Sequence, residues 1–102
     1  MYKVIATDLA LNDLEKIIRY VTDNLSNPTA AEDFLTNVDD CYKNLSHTPQ
    51  MYSRCLDTRL RDMNYRRAVI QNYIMVYRLD ENTKTVYVLR FFYGARKYVL
   101  LL

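Results

Sequence analysis

Residues 65–98, YRRAVIQNYIMVYRLDENTKTVYVLRFFYGARKY, leave this chain few ways to fold. Val, Ile, Tyr and Phe dominate them, and such side chains fit a pleated, half-buried surface better than a helix. One polar stretch, DENTK at 80–84, interrupts the run, and strands joined by so short a turn pair antiparallel. The pattern predicts strands over 66–71, 73–79 and 85–93 in a three-stranded meander. In the last strand, alternation sets Val86, Val88, Arg90 and Phe92 on one face and Tyr87, Leu89, Phe91 and Tyr93 on the other. Both faces are mostly apolar, so this strand is expected at the centre of the sheet, with Arg90 requiring a partner or an opening to water.

The earlier residues supply what such a sheet needs to bury. Residues 2–6 alternate weakly and read as a short first strand that depends on the later ones. From Asp8 the period becomes helical: Leu14, Ile17, Ile18, Val21 and Leu25 form a stripe opposite Asp13, Glu15, Lys16, Arg19 and Asp23, with Thr7 or Asp8 as cap. Asn27-Pro28 announces a second helix, because Asn caps well and proline at the first helical position forgoes an amide that has no partner there anyway. Its apolar face runs through Ala31, Phe34, Leu35, Val38, Tyr42 and Leu45 until residues 47–49 stop it. Three residues separate the two stripes, which predicts an antiparallel helical hairpin. Residues 50–64 follow neither period and read as a connecting loop with a short helical turn. The expected fold class is α+β, with an N-terminal strand, a two-helix hairpin and a three-stranded antiparallel meander in one sheet, all in one domain over residues 1–102.

Several chemistries are set aside by composition. A single glycine cannot build a phosphate-cradling loop, and no zinc or calcium spacing is present, so no metal and no cofactor is expected. Cys41 and Cys55 stand in no metal or redox spacing and read as packing residues with free thiols, which suits a cytoplasmic protein. No apolar run approaches the ~20 residues that span a bilayer, so no membrane partner is expected. The one histidine, His47, lies at the end of a helix with no nucleophile motif beside it, which argues against a serine triad.

Charge is divided unevenly along the chain. Residues 1–50 hold four basic residues against eight acids, and residues 51–102 hold ten against four. That division predicts an anionic partner facing the C-terminal half. Arg54, Arg59, Arg61, Arg66, Arg67, Arg90, Arg96 and Lys97 are the candidate binding residues, interleaved with Tyr65, Tyr73, Tyr93 and Tyr98. Guanidinium forks fit phosphate and tyrosine rings stack on bases, a composition that suits RNA. RNA cleavage without histidine is also chemically available. Arginines stabilise the crowded phosphorane charge, and tyrosine or carboxylate moves the protons of the attacking 2′-hydroxyl and the leaving oxygen. Most of the ten tyrosines, at helical or alternating positions, are expected to be core or rim residues.

The order strand, two helices, three strands, together with Tyr77-Arg78, the TVYVLRFFYG strand and the set Gly94, Arg96, Tyr98, resembles the RelE/ParE superfamily of bacterial type II toxins over nearly the whole chain. The resemblance implies a small toxin with a cognate antitoxin. RelE-like members cut messenger RNA on the ribosome, whereas ParE-like members inhibit DNA gyrase without nuclease activity. By position Arg96 matches the RelE arginine after the last strand, and Arg66 falls near a strand lysine. Tyr93 or Tyr98 would be the proton acceptor or a stacking platform. Ile74 stands where those enzymes have an arginine, Ala68 where they have a second lysine, and the apolar tail Val99, Leu100, Leu101 and Leu102 where they have a tyrosine. The first reading is thus a ribosome-dependent mRNA endonuclease acting through Arg66, Arg96, Tyr93 and Tyr98. The alternatives are a non-enzymatic gyrase inhibitor or an inactive toxin fold that binds only its antitoxin. In each case the antitoxin is expected to cover the tail and the basic face.

Overall fold

The computed structural model describes residues 1–94, so Arg96, Lys97, Tyr98 and the tail from Val99 through Leu100, Leu101 and Leu102 lie outside the described residues. Along the chain run β1 (Lys3–Ala6), α1 (Asp8–Arg19), a π-helical turn (Tyr20–Asn24), α2 (Pro28–His47), α3 (Thr58–Asp62), β2 (Tyr65–Ile70), β3 (Tyr73–Asp80) and β4 (Thr85–Tyr93). The caps are those the sequence predicts: the Thr7 hydroxyl accepts from Ala10 N–H at 3.2 Å, and the Asn27 side chain accepts from Ala30 N–H at 3.1 Å. None of the described helices is long and apolar enough to cross a membrane.

The sheet has the order β1-β4-β3-β2. The meander is antiparallel throughout, and β1 joins parallel to β4, which makes β4 an interior strand as expected. Asp80 shapes the DENTK turn by accepting from the main-chain N–H groups of Asn82 and Thr83 at 3.1 and 3.3 Å.

Strict alternation along β4 does not hold. Val76 pairs with Arg90 but Tyr77 pairs with Val88, so Leu89 is an extra residue and the pairing shifts there. Side chains beyond the bulge change face. Phe91 joins Val86 and Val88 in the main core, while Phe92 and Leu89 belong to a second cluster. The expected grouping of Val86, Val88 and Phe92 is corrected by that one inserted residue.

The main core lies between the sheet and the helices. Ala10 from α1 and Phe34, Val38, Cys41 and Leu45 from α2 meet Ala68, Met75, Tyr77, Leu79, Val86, Val88 and Phe91. Leu35, expected inside, is exposed, and Cys41 takes the core position instead. Leu25 also leaves the predicted stripe, because the wide π turn rotates it outward. The other sheet face is covered in part by the 55–62 segment, where Cys55 and Leu60 pack on Ile74, Val76 and Phe92. Buried Tyr77 gives its hydroxyl to Pro49 C=O at 2.8 Å, which ties the end of α2 to β3.

The only glycine closes the far end of the sheet. Gly94 N–H donates to Asn72 C=O at 2.7 Å, and a Cβ on Gly94 would lie 2.9 Å from that same oxygen. Gly94→Ala is expected to force apart the β2–β3 turn and the end of β4, with a loss of about 1–3 kcal/mol. Urea unfolding of the two proteins measures it, and an unchanged midpoint would show that the turn yields freely.

Candidate functional surface

A cavity of about 680 Å³ opens between α1 with its π turn and the end of the sheet formed by the start of β3 and the end of β4. Its walls include Lys16 from α1, Tyr20 and Leu25 at either end of the π turn, Asn72, and Tyr73, Phe92 and Tyr93 from the strands. The π turn forms it locally: Leu25 N–H reaches back five residues to Tyr20 C=O at 3.2 Å, a wider turn than an α-helix makes. The Tyr73 and Tyr93 rings meet edge to face at 5.7 Å, and Tyr73 also packs on Phe34 at 5.0 Å. Burial, together with the nearby Tyr20 and Tyr93 phenols, pushes the Tyr73 phenol above its ordinary pKa. The Tyr73 phenol is therefore held in its protonated form.

Arg66, the expected phosphate ligand on β2, hydrogen-bonds the main chain of the segment after α2. One terminal nitrogen donates to Gln50 C=O at 3.1 Å and to Tyr52 C=O at 2.6 Å, so the guanidinium clamps the segment after α2. Its Nε is enclosed without a hydrogen-bond partner. Arg66 pairs with Tyr77, whereas Tyr93 pairs with Tyr73, four residues along β3. At the rise of a strand that is roughly 13 Å. The structure does not bring these two expected catalytic residues together.

Arg90 has the partner that its place in an apolar strand demands. Its Nε and one terminal nitrogen donate to the two carboxylate oxygens of Asp13 at 2.6 and 3.1 Å, and the Asp13 hydrogen bonds raise the pKa of the guanidinium. Asp13 accepts a third bond, from Phe91 N–H at 3.1 Å. The Arg90 carbon also sits 5.0 Å from the centre of the Phe92 ring. Arg90 thus joins α1 to β4, and its two best donors are occupied.

The remaining expected basic residues gather around β2 and α3. Arg54 stands opposite Arg66 in an isolated bridge at the β2 edge, Arg59 and Arg61 ride on α3, and Arg67 lies on β2 across from Val76. Arg54 and Arg67 make no ion pair among the described residues. Arg78, which the charge reading did not single out, stacks its guanidinium 4.7 Å from the centre of the Tyr87 ring. Sequence reasoning also missed Lys16, Tyr20 and Asn72 as neighbours of Tyr93, since residues so far apart give no pairing signal in one chain. No cluster of three or more potential metal-ligating side chains occurs among the described residues.

The same architecture is found in toxin-antitoxin structures. The fold is similar to one in the chromosomal ParDE system from P. aeruginosa, with a TM-score of 0.71, 19% identity, and coverage of 91% of this chain and 96% of that one. It is similar to one in the RelBE2 complex from Mycobacterium tuberculosis (TM-score 0.64, 22% identity, 90% and 96% covered) and to one in the intact E. coli RelBE complex (0.64, 14%, 94% and 100%). At these identities the likeness defines a fold class. The family follows from the sequence model of the ParE toxin of type II toxin-antitoxin systems, parDE, which matches residues 4–98. The chain belongs to that family. Curated protein sequences contain no significant match to it.

The Asp13 contacts make a stability prediction. Asp13→Ala removes the partner of a half-buried guanidinium and leaves Phe91 N–H unpaired, and a loss of about 2–4 kcal/mol is expected. Asp39→Ala, at an exposed pair with Lys43, should change stability by less than about 1 kcal/mol. Chemical unfolding of both variants provides the comparison, and equal losses would refute the structural role given to Asp13.

Proposed function

We propose that this toxin arrests growth by binding its target, with no RNA cleavage, and that the target is DNA gyrase. The observation that carries this reading is the use of Arg66. Cleavage through a ribose 2′-hydroxyl needs a proton acceptor, a charge stabiliser and a proton donor around one phosphate. Among the described residues, the guanidinium expected to stabilise charge is committed to two main-chain carbonyls at the opposite end of the hairpin from Tyr93. Ile74, standing where RelE-like enzymes are described as having an arginine, is buried against the 55–62 segment and offers no charge. Membership of the ParE family supports the same reading.

A second reading keeps ribosome-dependent mRNA cleavage. It is favoured by the ten basic residues of the C-terminal half and by the position of Tyr93 and Gly94, directly before Arg96, Lys97 and Tyr98 in sequence. In both readings a cognate antitoxin neutralises the chain, as the paired complexes of its structural relatives support.

Purified protein separates the two. Titration into a gyrase supercoiling reaction is expected to abolish supercoiling, and primer extension on ribosome-bound message is expected to show no new 5′ ends. Cleaved message with unimpaired supercoiling would replace the first reading with the second. An absence of both effects and of any growth defect would leave antitoxin binding as the chain's whole activity.

A further inference from the structure

The cavity beside the π turn holds a cationic group that the fold leaves unused. Asp13 is the one acid among the described residues that line it, and its carboxylate is already taken by Arg90 and by Phe91 N–H. Lys16, one helical turn further along the same wall, makes no ion pair among the described residues. Asp13 and Arg90 cancel, so the described lining carries one net positive charge. Main-chain polarity adds to it. Phe91 N–H points to Asp13 where β1 no longer covers β4, and alternation sends Tyr93 N–H the same way, with no partner among the described residues.

The other walls are rings and apolar chains. Tyr20, Tyr73 and Tyr93 bring three phenol rings to one space, next to Ile17 and Leu25. Tyr20 and Tyr93 remain 47% and 54% exposed, so their rings are not used up in packing the core. The π turn sets this arrangement, because its five-residue reach joins Tyr20 and Leu25 at the rim, and such turns recur at functional sites. At about 680 Å³ the space falls within the roughly 300–1,000 Å³ of small-molecule sites.

We propose that this cavity binds a small aromatic carboxylate, with its ring against Tyr20 and Tyr93 and its carboxylate on Lys16. Aromatic walls favour a ring held edge to face or offset. One net positive charge matches a monoanion, whereas the dianion of a phosphate monoester would keep an uncompensated charge. Asn72, at the sheet end of the cavity, can hydrogen-bond to a polar substituent on the ring. Binding of this kind is independent of the toxin's target.

Indole-3-acetate is the probe, and because the chain has no tryptophan, indole fluorescence reports the ligand alone. Titration with the purified chain is expected to give a saturable change with a Kd below about 1 mM. Amide shifts in the same titration should concentrate at Lys16, Tyr20, Asn72 and Tyr93. Lys16→Met, which keeps the apolar stem, and Tyr20→Ala are each expected to weaken binding at least about fivefold, and 3-methylindole, which lacks the carboxylate, should bind weaker by at least as much. Lys43→Met, at the exposed pair with Asp39, should leave affinity unchanged. No saturation at about 10 mM probe, shifts confined to another surface, or parental affinity in both Lys16→Met and Tyr20→Ala overturns the assignment. If either variant misfolds, the amide shifts of the parental chain decide.

Discussion

One carboxylate compensates for a mismatch in strand length. β1 has four residues and β4 nine, so β1 pairs only with Thr85 to Val88 and leaves the rest of the β4 edge without a strand beside it. An interior edge with unpaired main-chain groups is costly. The start of α1 fills the gap. Thr7 N–H donates to Val88 C=O at 3.0 Å, the Thr7 hydroxyl to Leu89 C=O at 3.1 Å, and Asp13 accepts from Phe91 N–H. The side chains of α1 take over where β1 stops. Arg90 then neutralises the carboxylate that makes this possible, so helix position, strand bulge and ion pair depend on one another.

That arrangement alters the meaning of the charge asymmetry. Read along the sequence, the basic half looks like a surface prepared for an anion. In the folded chain Arg90 is held by Asp13, Arg66 by two carbonyls, and Arg78 lies over Tyr87. Three of the guanidinium groups thus serve the interior or its margins, where arginine's flat fork can satisfy several acceptors at once. Arg54 and Arg67, both at β2, remain without ion pairs among the described residues. Among the described residues, these two stand beside a strand edge, with exposed Arg59 and Arg61 on the neighbouring α3.

Periodicity made most of the fold legible. Helical stripes, the Thr7 and Asn27 caps and the antiparallel meander are local features, and local chemistry predicts them well. What escaped depends on contacts across the chain or on one-residue irregularities. Leu89 has the same β propensity as its neighbours, and nothing in TVYVLRFFY marks it as the residue that breaks the alternation. Asp13 looked like a solvent-facing helix residue because its partner lies 77 positions away. The surroundings of the candidate site residues were less legible for the same reason. Arg66 was placed on the correct strand, but its direction depends on where residues 50–52 pass, and that segment has no periodicity to read.

Burial on both sides of the sheet explains where function is left to reside. The helices cover one face, and the 55–62 segment with Cys55 and Leu60 covers part of the other, which occupies Ile74, Val76 and Phe92 in packing. Among the described residues, the open strand surface is therefore reduced to its margins. Those margins are the cavity rimmed by Lys16, Tyr20 and Tyr93 and the exposed Val69 on β2. The bulge that turns Phe92 into the second cluster thus helps to cover the second face of the sheet.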